Sequence, residues 1–270
     1  MKSIIFLDLD GTLWENEIIP PSALEAIQKA QENGHMVFAN TGRSRGSAWF
    51  ALKDLPLSGQ VYSAGTEIWI GDKRIFFTPL GVEKTKRLVK VLTDLDIGVT
   101  LEGSFANSAN EQGRAMLEEF IRYNPHSLRP EENILELSEM KDEDFASIMK
   151  LMAFDADVGK LEPLLNQEDM TFTFTPIPDH ELVNGEITQK SMTKGTAFEE
   201  IRKYLDQDFR TIAIGDSEND LPMFEKADLA IAMGNASEQA KKAADWITSP
   251  IQENGLYNAF EYANLFSKED

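Results

Sequence analysis

The sequence predicts an α/β protein with a Rossmann-like parallel sheet core, helices on both faces of that sheet, and an inserted α+β cap domain. Three observations predict this class. Strand-like and helix-like segments alternate at both ends of the chain, and the segment between them lacks that alternation. Polar residues that can carry chemistry directly follow the predicted strands, which is where open α/β sheets bind their ligands.

The N-terminal elements follow one another as strand, helix, strand, helix and strand, the order of a parallel βαβαβ unit. Gly34 stands where a helix C-cap belongs, because glycine readily adopts the left-handed conformation that ends helices. The predicted elements are a strand Lys2–Leu9, a helix Pro21–Asn33, a strand Met36–Asn40, a helix after Gly42, a strand Val61–Ser63 and a hairpin of Ile68–Ile70 and Ile75–Phe77.

The alternation stops at about Leu80 and resumes at Lys194. The middle segment predicts helices Glu83–Leu95, Gly113–Tyr123 and Gly159–Asn166, strands Lys150–Phe154 and Met170–Pro176, and an acidic stretch Glu131–Asp144. The last segment predicts helices Lys194–Leu205, Leu221–Lys226 and Ser237–Ala244, and strands Thr211–Ile214, Leu229–Ala232 and Trp246–Thr248. We therefore expect residues 1–81 and 188–270 to form a catalytic core around a cap domain of residues 82–187.

Composition and charge limit the classes of function. The chain has 46 acidic and 26 basic residues, a formal net charge of −20, and residues 82–187 hold 22 acidic against 10 basic residues. This charge opposes binding to nucleic acid and to anionic membranes, so we expect a small-molecule partner. No apolar run reaches the length of a membrane span and no secretory signal is visible, which predicts a cytoplasmic protein. The absence of cysteine excludes thiolate catalysis, and both a monomer and a homodimer stay open.

The first motif is Asp8-Leu9-Asp10-Gly11-Thr12, at the C-terminal tip of the first predicted strand. Because strand residues alternate sides, Asp8 and Asp10 are expected to point the same way, as a nucleophile and its acid/base partner. Gly11 would let backbone N–H groups approach an anion closely. A calcium loop of the EF-hand type is excluded, because it needs glycine at its sixth position, where Leu13 stands.

The second motif is Asn40-Thr41-Gly42-Arg43, which follows the second predicted strand and leads into a helix. The Thr41 hydroxyl and the backbone N–H groups around Gly42 and Arg43 would form a cradle for phosphate. Helix N-termini favour anions, because their N–H groups lack partners and the helix dipole is positive there.

An overlapping string suggests a rival function. Gly42-Arg43-Ser44-Arg45-Gly46 matches the G-x-S-x-G nucleophile elbow of serine hydrolases, and His126 or His180 could complete a triad. However, no glycine-rich oxyanion segment precedes Ser44, and an arginine stands on each side of it. The sequence therefore disfavours this alternative.

The remaining motifs supply acidic groups and a fixed cation. Gly215-Asp216-Ser217-Glu218-Asn219-Asp220 follows one predicted strand and precedes a helix. Asp216 and Asp220 can converge on one hard cation, and ligands that are all oxygen favour Mg²⁺. A site with three carboxylates and a bound phosphate also needs a fixed positive charge, which Lys194 at the start of its predicted helix can supply.

Together these motifs resemble the haloacid dehalogenase superfamily, whose four motifs correspond in chain order to Asp8 and Asp10, Thr41, Lys194, and Asp216 and Asp220. The large insertion between the second and third motifs is similar to the Cof-like branch of sugar and small-molecule phosphatases. The strings Gly215–Met223 and Ala232-Met233-Gly234-Asn235-Ala236 are also in the style of that branch. One departure is Ala64, where many relatives have asparagine, and it affects a polar contact beside the phosphate.

The resemblance implies a Mg²⁺-dependent phosphatase that hydrolyses a small phosphomonoester, such as a sugar phosphate, through an aspartyl-phosphate on Asp8. The implied Mg²⁺ ligands are Asp8, Asp10, Asp216 and Asp220. The implied phosphate contacts are Gly11, Thr41, Gly42, Arg43, Lys194 and Asn219, of which Thr41 and Lys194 join Asp8 and Asp10 as catalytic residues. Two alternatives stay open: a phosphomutase or phosphotransferase that uses the same aspartate, and a non-catalytic sensor of phosphorylated metabolites.

Overall fold

The computed structural model describes residues 2–123, 134–175 and 183–266, which form two β-sheets and their helices. The strands are β1 (Ser3–Leu7), β2 (Met36–Asn40), β3 (Gly59–Tyr62), β4 (Glu67–Ile70), β5 (Lys73–Phe77), β6 (Gly98–Gly103), β7 (Asn107–Ala109), β8 (Ile134–Glu136), β9 (Ile148–Ala156), β10 (Met170–Thr175), β11 (Val183–Gln189), β12 (Arg210–Gly215), β13 (Leu229–Ala232) and β14 (Trp246–Ile247). The helices are α1 (Pro21–Glu32), α2 (Arg45–Leu52), α3 (Val82–Asp94), α4 (Glu111–Tyr123), α5 (Asp142–Phe145), α6 (Val158–Gln167), α7 (Thr196–Leu205), α8 (Leu221–Phe224), α9 (Glu238–Ala243) and α10 (Gly255–Tyr262).

The first sheet has eight strands in the order β14-β13-β12-β1-β2-β3-β4-β5. From β14 to β3 each neighbouring pair is parallel, and β4 and β5 add an antiparallel hairpin at one edge. Parallel neighbours need crossover connections. Helices α1 and α2 connect β1 to β2 and β2 to β3, and helices α8 and α9 connect β12 to β13 and β13 to β14. The predicted α/β class with a Rossmann-like core is confirmed.

Strand β1 lies in the middle of this sheet and is buried along its whole length. Its nearly continuous apolar run is typical of a parallel strand that is covered on both faces. Ile5 pairs with Val37 of β2 and with Ile212 of β12, so these three strands run side by side in one direction. The loops that follow β1, β2 and β12 therefore meet at the carboxyl edge of the sheet.

The second sheet has six strands in the order β10-β11-β9-β6-β7-β8, all antiparallel except the pair β7 and β8. One face packs against α3 and α6 in an apolar core that includes Val99, Leu101, Leu151, Ala153 and Ile187. Side chains in a strand alternate sides, so the residues between these apolar ones lie on the opposite face. That opposite face carries polar and charged residues.

Contacts between residues divide the chain into two compact units. The first contains the residues up to Gly42, Ala51–Phe77 and the chain from Thr193 onwards, with the eight-stranded sheet. The second contains Arg43–Phe50 and Thr78–Met192, with the six-stranded sheet. The segment Arg43–Phe50 therefore belongs to the second unit, although the sequence analysis expects it in the core. The assignment of the units as catalytic core and cap stays a prediction.

Two predicted boundaries move in a way that matters for the site. The first strand ends at Leu7, and the helix predicted to start at Lys194 begins at Thr196. Asp8 and Lys194 therefore lie in loops next to regular elements. Loops at strand ends commonly carry functional residues, because the sheet fixes them while they stay free to bind a ligand.

The second unit contains elements that the sequence analysis missed, namely β6, β7, β8, β11 and the short helix α5, and the first unit contains the missed helix α10. Part of the acidic stretch Glu131–Asp144 and the last residue of the predicted strand Met170–Pro176 lie outside the described residues. Among the described residues, no helix is both long enough and apolar enough to cross a membrane.

Candidate active site

Asp8 stands at the carboxyl edge of the eight-stranded sheet, one residue after β1 ends. Its backbone N–H donates to the carbonyl oxygen of Ile214 in β12 at 3.0 Å, which extends the strand pairing by one residue. The residue is buried, with 5% of its surface exposed. Asp8 therefore presents a carboxylate inside the protein, at the edge where open α/β sheets bind ligands.

Asp216 and Asp220 come from the loop that follows β12. Asp220 Oδ2 accepts hydrogen bonds from the backbone N–H groups of Asp216 at 2.8 Å and of Ser217 at 3.0 Å, so this carboxylate orders the loop. Asp8, Asp216 and Asp220 each offer a carboxylate oxygen within 4.8 Å of the other two. Such a set of oxygen ligands could hold a divalent metal ion.

Lys194 lies between two of these carboxylates. Its Nζ donates to Asp8 Oδ1 at 2.5 Å and to Asp220 Oδ1 at 2.6 Å, and its side chain is completely buried. The residue precedes α7, and its backbone carbonyl accepts a hydrogen bond from Asn40 Nδ2 at 2.9 Å. Lys194 is thus the fixed positive charge of a buried acidic cluster.

Burial and the charges of neighbouring groups shift the pKa values of three members of the cluster, which carries more negative than positive charge. Burial raises the pKa of Asp8 well above its usual value; Lys194 opposes this shift and Asp220 adds to it. Burial and the charge of Asp220 also raise the pKa of Asp216 to about 6. Burial lowers the pKa of Lys194, but the charges of Asp8 and Asp220 outweigh that effect and raise it. A divalent cation would neutralise the excess charge, so the donor set fits one.

Gly11 brings the loop after β1 against Asp216. Its φ is +81°, in the left-handed region that favours glycine, and a Cβ atom added there would lie 2.5 Å from Asp216 Oδ2. Asn235 Nδ2 donates to the Gly11 carbonyl at 2.8 Å, and Thr12 Oγ1 donates to Asp216 Oδ1 at 3.3 Å. A larger residue in place of Gly11 would therefore displace the Asp216 carboxylate.

Asp10 is more exposed than Asp8. Because β1 ends at Leu7, the alternation of strand faces does not extend to Asp10, and the argument that both aspartates point the same way no longer applies. Asp10 Oδ1 accepts a hydrogen bond from Nε1 of the fully buried Trp14 at 2.9 Å. The indole fixes the orientation of this carboxylate, whose acid/base role stays a prediction.

Thr41 and Gly42 follow β2 at the same edge of the sheet. The buried Thr41 donates its backbone N–H to Val61 O at 2.9 Å, and its own carbonyl accepts from the N–H of Ala64 at 2.9 Å. A Cβ atom added at Gly42 would lie 3.9 Å from Asn219 Nδ2, so the structure brings Asn219 next to this loop. The phosphate contacts of these residues stay predictions.

Arg43 and Ser44 belong to the second compact unit. Ser44 is completely buried, and its Oγ shares a hydrogen bond with Ser47 Oγ at 3.0 Å. A nucleophile elbow presents its serine to the substrate, which a buried hydroxyl does not. His126 and His180, the candidate bases of that rival function, lie outside the described residues. The phosphate contact expected of Arg43 stays a prediction.

Ala64 adopts a left-handed backbone conformation, with φ 52° and ψ 46°, and the preceding Ser63 also has a positive φ of 46°. Asparagine and glycine adopt this conformation with less strain than alanine does. The left-handed conformation is therefore a physical reason why asparagine, which the resemblance implies at this position, would suit it.

Sequence reasoning missed the residues that act on the site through hydrogen bonds. Asn40 holds the backbone of Lys194, Trp14 holds Asp10, and Thr12 and Asn235 connect the loop after β1 to the rest of the cluster. Asn40 and Thr12 stand inside the two motifs already singled out, so their positions gave a signal. Asn235 stands in the string Ala232–Ala236 that the resemblance singled out, whereas Trp14 gave no signal that the spacing could reveal.

Comparison with known proteins agrees with these features. A profile of haloacid dehalogenase-like hydrolases matches residues 5–260. Phosphatase YwpJ of Bacillus subtilis is 27% identical, over 96% of this chain and 99% of that protein. The 5-amino-6-(5-phospho-D-ribitylamino)uracil phosphatase YcsE of Bacillus subtilis is 26% identical, over 96% of this chain and 94% of that protein. The HAD subclass IIB sugar phosphatase BT4131 superposes with a TM-score of 0.76 at 22% identity, over 98% of this chain and 100% of that chain.

The chain belongs to the haloacid dehalogenase-like hydrolase family, because the family profile covers nearly its whole length. The resemblance to this family and to its Cof-like branch is confirmed, and so is the prediction of a phosphatase. The likeness to the solved structure, at 22% identity, shows the fold. The acidic cluster could hold a metal ion, as the sequence analysis expects of a member of this family.

Proposed function

We propose that this phosphatase hydrolyses a small phosphomonoester, such as a sugar phosphate, and that it uses Mg²⁺ and an aspartyl-phosphate on Asp8. The observation that carries the proposal is the buried Lys194, held between Asp8 and Asp220, with the Asp216 carboxylate beside them. An acidic cluster with one fixed ammonium group has the charge pattern needed to bring a metal ion and a phosphate together.

In the first proposed step, a carboxylate oxygen of Asp8 attacks the phosphorus, and the bond from phosphorus to the leaving alcohol oxygen breaks. Asp10, in its acid form, transfers its proton to that oxygen, so that a neutral alcohol departs. Lys194 supports this step because its ammonium group already lies 2.5 Å from Asp8 Oδ1 and holds the carboxylate in one place.

In the second proposed step, Asp10 takes a proton from water, and the water oxygen attacks the phosphorus of the aspartyl-phosphate. The bond between the Asp8 oxygen and phosphorus breaks, inorganic phosphate leaves, and Asp10 is again in its acid form. The hydrogen bond from Trp14 to Asp10 Oδ1 supports a single residue in both roles, since it keeps the carboxyl group oriented.

The proposed Mg²⁺ ligands are Asp8, the Asp10 backbone carbonyl, Asp216 and Asp220. The donor set supports Mg²⁺, because its ligands are all oxygen and the chain has no cysteine. When bound, the ion would offset the repulsion between the Asp8 carboxylate and a dianionic phosphate. Both oxygens of Asp220 accept hydrogen bonds from protein groups, and because each carboxylate oxygen has a second lone pair, Asp220 would still be able to bind the ion.

The proposed phosphate contacts are Gly11, Thr41, Gly42, Arg43, Lys194 and Asn219. The Asn219 amide lies next to Gly42, which supports the proposal that both residues contact the phosphate. The net charge of −20 supports a small substrate and opposes nucleic acid and membrane partners, and a cytoplasmic location stays part of the proposal. The relative YcsE is named for an ester of a polyhydroxy chain, which supports testing similar esters here.

A phosphate-release screen tests the proposal. The purified chain is assayed on a panel of phosphorylated metabolites and on p-nitrophenyl phosphate, with Mg²⁺ and with EDTA, and Asp8→Asn serves as the blank. We expect release that needs both Mg²⁺ and Asp8. Turnover that persists in Asp8→Asn would contradict the assigned nucleophile. Transfer of a labelled phosphoryl group back to the organic product, in place of release, would favour the phosphomutase.

A further inference from the structure

The loop that follows β13, residues 233–237, contacts two parts of the acidic cluster, and the proposed chemistry does not use it. The backbone N–H of Ser237 donates to the carbonyl oxygen of Asp216 at 2.8 Å. The side chain of Asn235 reaches a different segment, because its Nδ2 donates to the carbonyl oxygen of Gly11 at 2.8 Å. One loop therefore contacts both the backbone that carries Asp216 and the loop after β1.

The amide group of Asn235 has a partner at each end. Its Oδ1 accepts a hydrogen bond from the backbone N–H of Ile251 at 3.0 Å. The loop after β14 also packs closely against the neighbouring Gly234, where an added Cβ atom would lie 2.4 Å from the backbone nitrogen of Pro250. An amide that donates at one end and accepts at the other has a single favourable orientation. Asn235 Nδ2 is therefore directed at Gly11.

The carbonyl that Asn235 holds belongs to the peptide between Gly11 and Thr12, and both of these residues contact the Asp216 carboxylate. Thr12 Oγ1 donates to Asp216 Oδ1 at 3.3 Å. Gly11 lies so near to Asp216 Oδ2 that a Cβ atom on it would come within 2.5 Å. Rotation of this one peptide would change both contacts. Asn235 therefore fixes the part of the loop against which the Asp216 carboxylate lies.

Asp216 depends on this support more than the other two carboxylates of the cluster do. Lys194 Nζ donates to Asp8 at 2.5 Å and to Asp220 at 2.6 Å, whereas the hydrogen bond from Thr12 to Asp216 is 3.3 Å long. Asp216 is also partly exposed, whereas Asp8 and Asp220 are buried. Groups around a metal ligand orient it and thereby influence the affinity for the metal. The position of Asp216 is consequently sensitive to its neighbours.

We propose that Asn235 is a positioning residue that places Asp216 for Mg²⁺, through the peptide between Gly11 and Thr12. The inference rests on the proposed function, which makes Asp216 a ligand of Mg²⁺. All of these residues belong to one compact unit. Without the Nδ2 donor the peptide gains freedom to rotate, since glycine permits a wide range of backbone angles. The Asp216 carboxylate then loses its fixed place.

Asn235→Ala tests the inference, with Asn33→Ala as the matched control. The Asn33 amide also joins separate segments, because its Nδ2 donates to the carbonyl oxygens of Lys29 at 3.0 Å and of Leu265 at 3.2 Å. Asn33 follows α1 and precedes β2, so it lies at the amino edge of the sheet, away from the acidic cluster. Calorimetric titration with Mg²⁺ alone measures the dissociation constant of each variant without any turnover.

We expect Asn235→Ala to raise the dissociation constant for Mg²⁺ about 10-fold, at the lower end of the effects seen when a metal ligand loses its support. The Mg²⁺ concentration for half-maximal turnover of p-nitrophenyl phosphate should rise by the same factor. Asn33→Ala should leave both values within about twofold. Thermal unfolding in EDTA establishes that both variants are folded.

Thr12→Val tests the route through the peptide, because it removes the hydroxyl that contacts Asp216. If Asn235 acts by placing this hydroxyl, its loss matters less once the hydroxyl is gone. In the Thr12→Val background we therefore expect Asn235→Ala to raise the dissociation constant by less than about threefold. In the Thr12→Ser background, which keeps a hydroxyl, the full effect should return. A full effect in the Thr12→Val background would overturn this route.

The outcomes separate this inference from the proposed function. If the wild-type chain binds Mg²⁺ and Asn235→Ala binds it equally well, the positioning role is overturned while the phosphatase stands. An equal loss in Asn33→Ala would also overturn it, because the effect would then follow general stability. If the wild-type chain neither binds Mg²⁺ nor needs it for hydrolysis, the proposed function fails, and this inference fails with it.

Discussion

The two units of the chain each hold a buried lysine between two carboxylates, but the two clusters are built differently. Lys194 joins residues from loops that lie 186 and 26 positions away, and a third carboxylate, Asp216, stands beside it. Lys150 joins Glu102 and Glu186, which lie in neighbouring strands of one sheet, with two carboxylates in all. When every group is ionised, the first cluster has two uncompensated negative charges and the second has one.

This difference shows how local charge balance can select a ligand. Two buried negative charges without a compensating positive charge favour binding of a divalent cation, because its charge matches theirs. The same residue types therefore form clusters of different net charge in the two units.

The largest expected effect comes from removing the nucleophile in the first cluster. Asp8→Asn should lower turnover of p-nitrophenyl phosphate by more than about a thousandfold, because amide nitrogen and oxygen cannot replace the attacking carboxylate. Glu186→Gln in the second cluster should leave the same activity within about twofold. Initial rates with saturating Mg²⁺ measure both. Comparable losses in the two variants would break the comparison.

The next effect comes from crowding the first cluster without removing a charged group. Gly11→Ala places a Cβ atom 2.5 Å from Asp216 Oδ2 and should lower kcat/KM about 100-fold, since small displacements in a site have effects of this size. Gly71→Ala is the matched control, because Gly71 also has a positive φ, of 52°, but its Cβ would meet nothing within 4 Å. Mg²⁺ titrations of both variants measure the effect. If Gly71→Ala loses as much activity, backbone strain and not Asp216 is the cause.

A third prediction concerns stability without metal, where the two clusters should respond with opposite signs. The pKa of Asp216 is raised to about 6 in the folded protein, above the ordinary carboxyl value of 3.8. The folded state therefore binds the proton more tightly than the unfolded state, and this stabilisation is lost as the pH rises from about 4 through about 6.

Asp216→Asn should consequently raise the unfolding temperature at pH 8 in EDTA, with little gain at pH 4. Glu186→Gln should lower it at pH 8, because the buried Lys150 loses a charged partner. Calorimetry at both pH values measures the two variants against wild type. A lower unfolding temperature for Asp216→Asn at pH 8 in EDTA would contradict the charge imbalance assigned to the first cluster.

The smallest expected effect lies next to Thr41 in the first unit. Ala64→Gly removes the strain of an L-residue at φ 52° and should raise the free energy of unfolding by about 0.5–1 kcal/mol. Urea unfolding measures this free energy. A loss of stability would show that the methyl group of Ala64 contributes packing that outweighs the strain.

The residues of the first cluster were predictable from the sequence because of the topology of parallel sheets. Asp8 and Asp216 each follow a strand of the same sheet, and parallel order brings those strand ends to one edge. The identity of Lys194 as a partner followed from the need for a cation near several carboxylates. The hydrogen bonds that Asn40 and Trp14 make depend on loop geometry, which spacing along the chain does not encode.

The second cluster could not be predicted, because it depends on strand register. Glu102 and Lys150 are far apart in the sequence and meet only when β6 and β9 pair as they do. Strands β6 and β11 were missed because their residues alternate between apolar and polar types over short runs that contain glycine, which weakens a strand signal.

The most direct test of the account is a trap of the covalent intermediate. The chain is mixed with Mg²⁺ and an excess of its best substrate, quenched with acid during turnover, digested, and analysed by mass spectrometry. The account predicts one added phosphoryl group, on Asp8, in a fraction of the molecules. A phosphoryl group on another residue during steady turnover would contradict it.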